Sequence, residues 1–219
     1  EMTSSLVGSE MCIRDRRRMR ELFLRWNPST TMKCAIFEEN GNRHDMQRVL
    51  GHVTLQNAVR RMGDFVLTSC AANALQPYRQ NDNGWDQGQV FFTPSQVWGM
   101  PPYYAQQMAA AHHRPLTVGC GVEGADGVLD VTATRSREAG SVVLHIANTG
   151  AEPLRVGLRV DGMGKVSQAR MVSLSGDLDA VNTPEEPRRI APVGRELPAR
   201  AAQTVDIAPY SYTIVVLDE

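Results

Sequence analysis

The sequence predicts a chain in two parts: an α/β segment of parallel strands with helical crossovers, then an all-β sandwich. Three observations carry this. Between Glu21 and Arg114, short apolar runs alternate with stretches of helical period. Beyond Pro115 the helical period stops, and six short strand-like runs follow, separated by glycine and proline. The composition of the 219 residues, 42 % hydrophobic and 21 % charged, is that of a folded chain rather than a disordered one. A chain this long buries on the order of two thirds of its extended surface.

The opening EMTSSLVGSEMCIRDRRRMR lacks an apolar segment of signal-peptide length. Its string SLVGSEMCIRD resembles translated adapter sequence found at the ends of metagenomic fragments. Residues 1–20 are therefore expected to be an artefact or a disordered tail, and the arginines there to carry no function. Residues 21–114 then form the α/β part and 115–219 the sandwich, with the boundary between His112 and Val122.

Cys34-Ala35-Ile36-Phe37 reads as a buried strand ending in the polar turn Glu38-Glu39-Asn40-Gly41. Met46, Val49, Leu50, Val53, Ala58, Val59 and Met62 recur at helical spacing, with Arg48, Gln56, Arg60 and Arg61 between them. This predicts an amphipathic helix over roughly 45–62 with Asp45 as N-cap. Phe65–Cys70 reads as the next strand, Asn73–Gly88 as a polar loop, and Val90–Phe92 as a short strand. Thr93 or Ser95 can cap the turn that follows. Pro101-Pro102 opens a helix running to about His112. The sandwich strands are expected at Val128–Ala133, Val142–Ala147, Leu154–Val160, Ala169–Leu174, Thr204–Ile207 and Tyr212–Leu217. Thr183–Pro198 holds four prolines and cannot be regular throughout.

Several function classes are disfavoured. The net charge of −1 provides no global positive field for nucleic acid or a membrane surface. There is no run of 18 apolar residues. The four cysteines form no Cys-x-x-Cys pair and are expected as buried thiols. No Asn-x-Ser/Thr acceptor free of an intervening proline occurs, which fits a cytoplasmic protein but decides little. No His-x-x-x-His occurs and His44 has no partner at ligand spacing, so neither a metal nor a cofactor is expected. Gly119-Cys120-Gly121-Val122-Glu123-Gly124 matches a dinucleotide fingerprint literally, but strands rather than a helix are expected after it.

The remaining candidate is Glu38-Glu39. Loops leaving the carboxyl ends of parallel strands are where α/β folds gather ligand groups. Adjacent strand residues point to opposite faces, so one of the two reaches a pocket at most. Spacing alone does not choose between them. Among the aromatic residues Trp85, Phe91, Phe92, Trp98, Tyr103 and Tyr104, the indoles Trp85 and Trp98 are the two expected to face a cleft, where ring faces stack on sugars.

These residues carry a resemblance. The chain from Lys33 onward resembles the C-terminal half of a family-51 α-L-arabinofuranosidase. The matching features are Ile36-Phe37-Glu38-Glu39; Val53-Thr54-Leu55-Gln56-Asn57-Ala58 leading into Ser69-Cys70-Ala71-Ala72-Asn73-Ala74-Leu75; and Trp85, Val90-Phe91-Phe92 and Val97 through Tyr104. Leu174-Ser175-Gly176 and Asn182 through Pro192 complete the set. The resemblance implies a fragment of a (β/α)₈ TIM barrel, its last β/α units, followed by an all-β sandwich domain. It implies a retaining mechanism with Glu39 as nucleophile and Glu38 as the fallback. It implies Trp85, Trp98 and Asn73 at the substrate, an arabinofuranosyl-containing oligosaccharide or polysaccharide. The family's acid/base glutamate, on strand four, has no counterpart upstream of Lys33, so this chain by itself is expected to be inactive. Homo-oligomers, hexamers among them, occur in the family, and its members are both intracellular and exported. The family pattern has an aromatic residue after the nucleophile, where this chain has Asn40. The competing class is a non-catalytic sandwich acting as an accessory or carbohydrate-binding module. Its lack of any Trp after Trp98 argues against a sugar-stacking platform there.

Overall fold

The computed structural model describes residues 18–80, 86–125, 127–138, 140–200 and 202–219. The expected tail, residues 1–20, lies outside the described residues up to position 17. From Arg18 the chain is helical, and α1 covers residues 18–26.

The α/β segment follows the predicted order. Strand β1 (Cys34–Glu39) runs parallel to β2 (Val66–Ala71), and helix α2 (Met46–Arg61) connects them. Asp45 caps α2 as expected: its side chain accepts from the Arg48 amide at 3.1 Å. A mixed three-stranded sheet comes next, β3 (Leu75–Pro77), β4 (Val90–Phe92) and β5 (Val97–Gly99). Of these, β4 is the predicted strand, while β3 and β5 add to the prediction: Leu75-Gln76-Pro77 and Val97-Trp98-Gly99 are not the continuous apolar run that Val90-Phe91-Phe92 is. The Thr93 hydroxyl accepts from the Gln96 amide and caps the β4–β5 turn. Helix α3 (Pro101–Ala111) opens on the two prolines.

The sandwich is a six-stranded sheet and a two-stranded sheet. The larger has the order β11-β10-β13-β8-β7-β6, all antiparallel: β6 Leu116–Val118, β7 Leu129–Arg135, β8 Ser141–Asn148, β10 Gln168–Ser175, β11 Val193–Leu197 and β13 Ser211–Asp218. The smaller pairs β9 (Leu154–Arg159) with β12 (Ala202–Ile207). The short strand β11 lies inside the proline-rich stretch. The rest of that stretch is irregular but anchored, because Asn182 donates to the carbonyls of Gly99 and Ile190 and accepts from the Ile190 amide.

The large sheet is covered on both faces. Val215 and Leu217 of β13 pack with Val205 and Ile207 of β12 in one cluster. Tyr212, Ile214 and Val216, pointing the other way, pack with Met46, Val49 and Val53 of α2 and Ala105 and Met108 of α3. This explains why Tyr212–Leu217 reads as a continuous apolar run rather than an alternating one. It also carries one hydrophobic core across the expected boundary near residue 114. Helix α2 is clamped between two sheets, which corrects the amphipathic reading: Arg48, expected on a solvated face, is 4 % exposed.

Among the described residues the parallel strands are the pairs β1–β2 and β3–β4, and no closed barrel is formed. One further expectation changes. Cys70 and Cys120 are exposed and Cys34 half-buried, so these three thiols are not core residues; Cys12 lies outside the described residues.

Candidate active site

The site forms where β1 ends and α2 begins. Between Ile36 and Glu39 the β1–β2 register shifts: three steps along β1 match two along β2, from Ser69 to Ala71. This irregularity sets the Glu39 side chain beside Ser69, whose hydroxyl donates to Glu39 Oε2 at 2.7 Å. Oε1 is bonded to Nδ1 of His52, two turns into α2. Glu39 is 8 % exposed, whereas neighbouring Glu38 is exposed. The structure thus separates two adjacent carboxylates that spacing left equivalent.

Arg48 organises the surroundings. It lies one turn before His52 on the same helix face. Its Nε donates to His52 Nε2 at 2.8 Å. One terminal nitrogen donates to the carbonyls of Arg43 and Gln87, the other to that of Ala72 at 2.6 Å. One guanidinium therefore ties together the loop after β1, the end of β2 and the segment before β4. Burial pulls its pKa down to about 10, against the opposing charges of Glu39 and Asp45. The chain passes directly over this group at Gly41, where a Cβ would come within 2.9 Å of Arg48 Cζ. Gln87 fixes the same loop, accepting from the Gly41 amide and donating to Asn40. Ser69 and His52 thus hold the two oxygens of this buried carboxylate in place, with the Arg48 guanidinium behind His52.

The other predicted residues fall elsewhere. Trp85 lies outside the described residues. Trp98 is 4 % exposed, packed edge-on to Tyr78 and beside Phe91. Its ring is core, which corrects the expectation that it faces a cleft; β5 pairs with β4 and turns it inward. Asn73 is half-buried and donates to the Leu75 carbonyl, while its Oδ1 is buried without a protein partner. His44 bonds to Asp86 in the loop before α2. His112 caps the end of α3 through the Met108 carbonyl. The segment 119–125 is irregular and leads into β7, not a helix.

Sequence reasoning missed His52 and the roles of Arg48 and Gln87. A signal existed: Asp45, Arg48 and His52 form a polar stripe, on turns otherwise lined by Met46, Val49, Leu50 and Val53. Ser69 reaches Glu39 only because β2 lies beside β1.

The model of the α-L-arabinofuranosidase C-terminal domain matches residues 28–211. No curated protein matches. Among solved structures, the chain is similar to the arabinose-bound MgGH51 α-L-arabinofuranosidase, with a TM-score of 0.73, 21 % identity, and 81 % of this chain and 28 % of that one covered. It is similar to the thermostable GH51 α-L-arabinofuranosidase of Thermotoga petrophila RKU-1, with a TM-score of 0.71, 18 % identity and coverages of 84 % and 43 %. It is also similar to the GH51 arabinofuranosidase of Xanthomonas axonopodis pv. citri, with a TM-score of 0.72, 12 % identity and coverages of 97 % and 46 %. The chain thus spans less than half the length of each.

Proposed function

Because the chain belongs to the α-L-arabinofuranosidase C-terminal domain family, we propose that it forms part of a retaining glycoside hydrolase. That enzyme releases terminal α-L-arabinofuranosyl units from oligosaccharides or polysaccharides, and Glu39 is its nucleophile. The observation that carries the reading is a buried carboxylate at the tip of a parallel strand, bonded to Ser69 and His52 with Arg48 alongside. Glu39 attacks the anomeric carbon and forms a glycosyl ester while a second carboxylic acid protonates the departing oxygen. Water, deprotonated by that second group, then attacks the same carbon; arabinose leaves with retained configuration and Glu39 is again free. The two carboxyl groups of such a pair stand about 5 Å apart. In this reading the second comes from another strand of the enzyme.

In this reading residues 21–114 are the last units of a barrel and 115–219 a sandwich that scaffolds them. Support comes from the β1–α2–β2 unit itself. One face of the strand pair packs on the helix, and Phe37 and Leu67 are 79 % and 68 % exposed, as strands are when the rest of a barrel is taken away.

The test uses the enzyme encoded by the extended reading frame, with an aryl α-L-arabinofuranoside. Glu39→Gln lowers turnover on the order of 10³-fold or more, and a slow fluorinated substrate labels the peptide containing Glu39. The 219-residue chain alone shows no turnover. A label on another carboxylate, or clear turnover by the short chain, overturns the assignment.

A further inference from the structure

The nucleophile reading accounts for Glu39 but not for the histidine behind it. An arginine has no acceptor, so Arg48 Nε must be the donor to His52 Nε2. That nitrogen then carries a lone pair, and the imidazole proton sits on Nδ1, the atom that meets Glu39 Oε1. His52 is 3 % exposed, and Arg48 is fixed by three backbone carbonyls. The ring can neither turn nor exchange tautomer without stranding a buried partner. Ser69 differs: its hydroxyl rotates about one bond and is part-buried.

We propose that His52 is a positioning residue, locked by Arg48 in its Nδ1–H tautomer, that fixes Glu39 Oε1 and leaves Oε2 as the attacking oxygen. The inference rests on Glu39 being the nucleophile. Its chemistry matches both half-reactions. As Oε2 forms the ester bond, the carboxylate charge is lost and the bond to Oε1 weakens. As the ester breaks, the charge returns to an oxygen whose donor is already in place. Among the described residues, the titratable and charged groups facing the carboxylate include Arg48 and His52 from α2; Asp45 and Arg43 stand behind Arg48, and Ser69 contributes its hydroxyl from β2.

The test begins with the 219-residue chain. Long-range proton–nitrogen correlation of the His52 ring shows the Nδ1–H tautomer in the wild type; the Nε2–H tautomer overturns the proposal without any variant. The Glu39 carboxyl is then titrated by carbon NMR. In His52→Leu its midpoint rises by about one to two pH units. In His52→Asn, whose amide places a donor near the position of Nδ1, most of the rise is recovered. A midpoint that does not move in the leucine variant, or moves equally in both, overturns the proposal. Covalent labelling of the longer enzyme keeps the two readings apart: a label on Glu38 defeats the nucleophile assignment while the tautomer and titration results stand.

Discussion

Replacing Asn57 with leucine tests whether α2 and the large sheet form one cooperative unit. Asn57 is fully buried on the sheet side of α2. Its amide donates to the carbonyls of Asp130 and His145, and its Oδ1 accepts from the Thr132 hydroxyl at 2.8 Å and from Arg60 at 2.9 Å. Leucine has nearly the same shape and removes all four contacts. The Thr132 hydroxyl, 2 % exposed, is left without an acceptor, at a cost of about 1–3 kcal/mol. Arg60, whose pKa burial already lowers, loses a charge-assisted bond of roughly 1.5–3 kcal/mol. The added apolar burial returns about 1–2 kcal/mol. The net loss is about 0.5–5 kcal/mol, which for a chain of this size lowers Tm by roughly 1–20 °C. Urea and thermal unfolding, followed by far-UV dichroism and tryptophan fluorescence, read it. A loss below about 0.5 kcal/mol, or a helix signal that melts apart from the sheet, refutes the reasoning: α2 would not then be docked on the sandwich through Asn57.

Two further outcomes follow from the same packing. His145 is fully buried against Tyr212; burial first, then the charges of Arg60, His112 and His113, pull its pKa down to about 2. The unfolded chain takes up this proton below about pH 6.5 and the folded chain does not, so stability is present above that pH and is lost as pH falls toward 2, at about 1.4 kcal/mol per pH unit. His145→Gln flattens the stability profile between pH 6 and 3; parallel profiles would count against it. In hydrogen exchange, amides of α2 and β13 exchange together and at least about tenfold more slowly than those of β1 and β2, whose outer edges are unpaired among the described residues. Equal protection in β1 and β13 would contradict this.

Much of the fold was legible because its signals are local. The spacing of Met46, Val49, Leu50 and Val53, with Asp45 ahead of them, defines α2 within one residue at each end. The six longer sandwich strands were found for the same reason, while β3, β5, β6 and β11 were too short to show a period. At the site, Glu38 and Glu39 were visible as a pair, but the choice of Glu39 required resemblance. The separation of the two depends on a register irregularity against a strand about thirty residues away, which no local pattern encodes. Trp98 failed as a sugar platform because an indole in a short strand reads alike whether it faces inward or outward.

The sequence by itself determined the bounds of α2 and the places of the longer sandwich strands, which runs are apolar enough to be core, and that an acidic pair ends a strand. Only the tertiary structure decided which acid is buried, that Arg48 is an interior charge rather than a surface one, and that His52 stands between them. The reason is physical. Periodicity records how a segment meets its average surroundings, whereas a buried polar network depends on particular atoms from α2, β2 and the loop before β4 converging within hydrogen-bond distance.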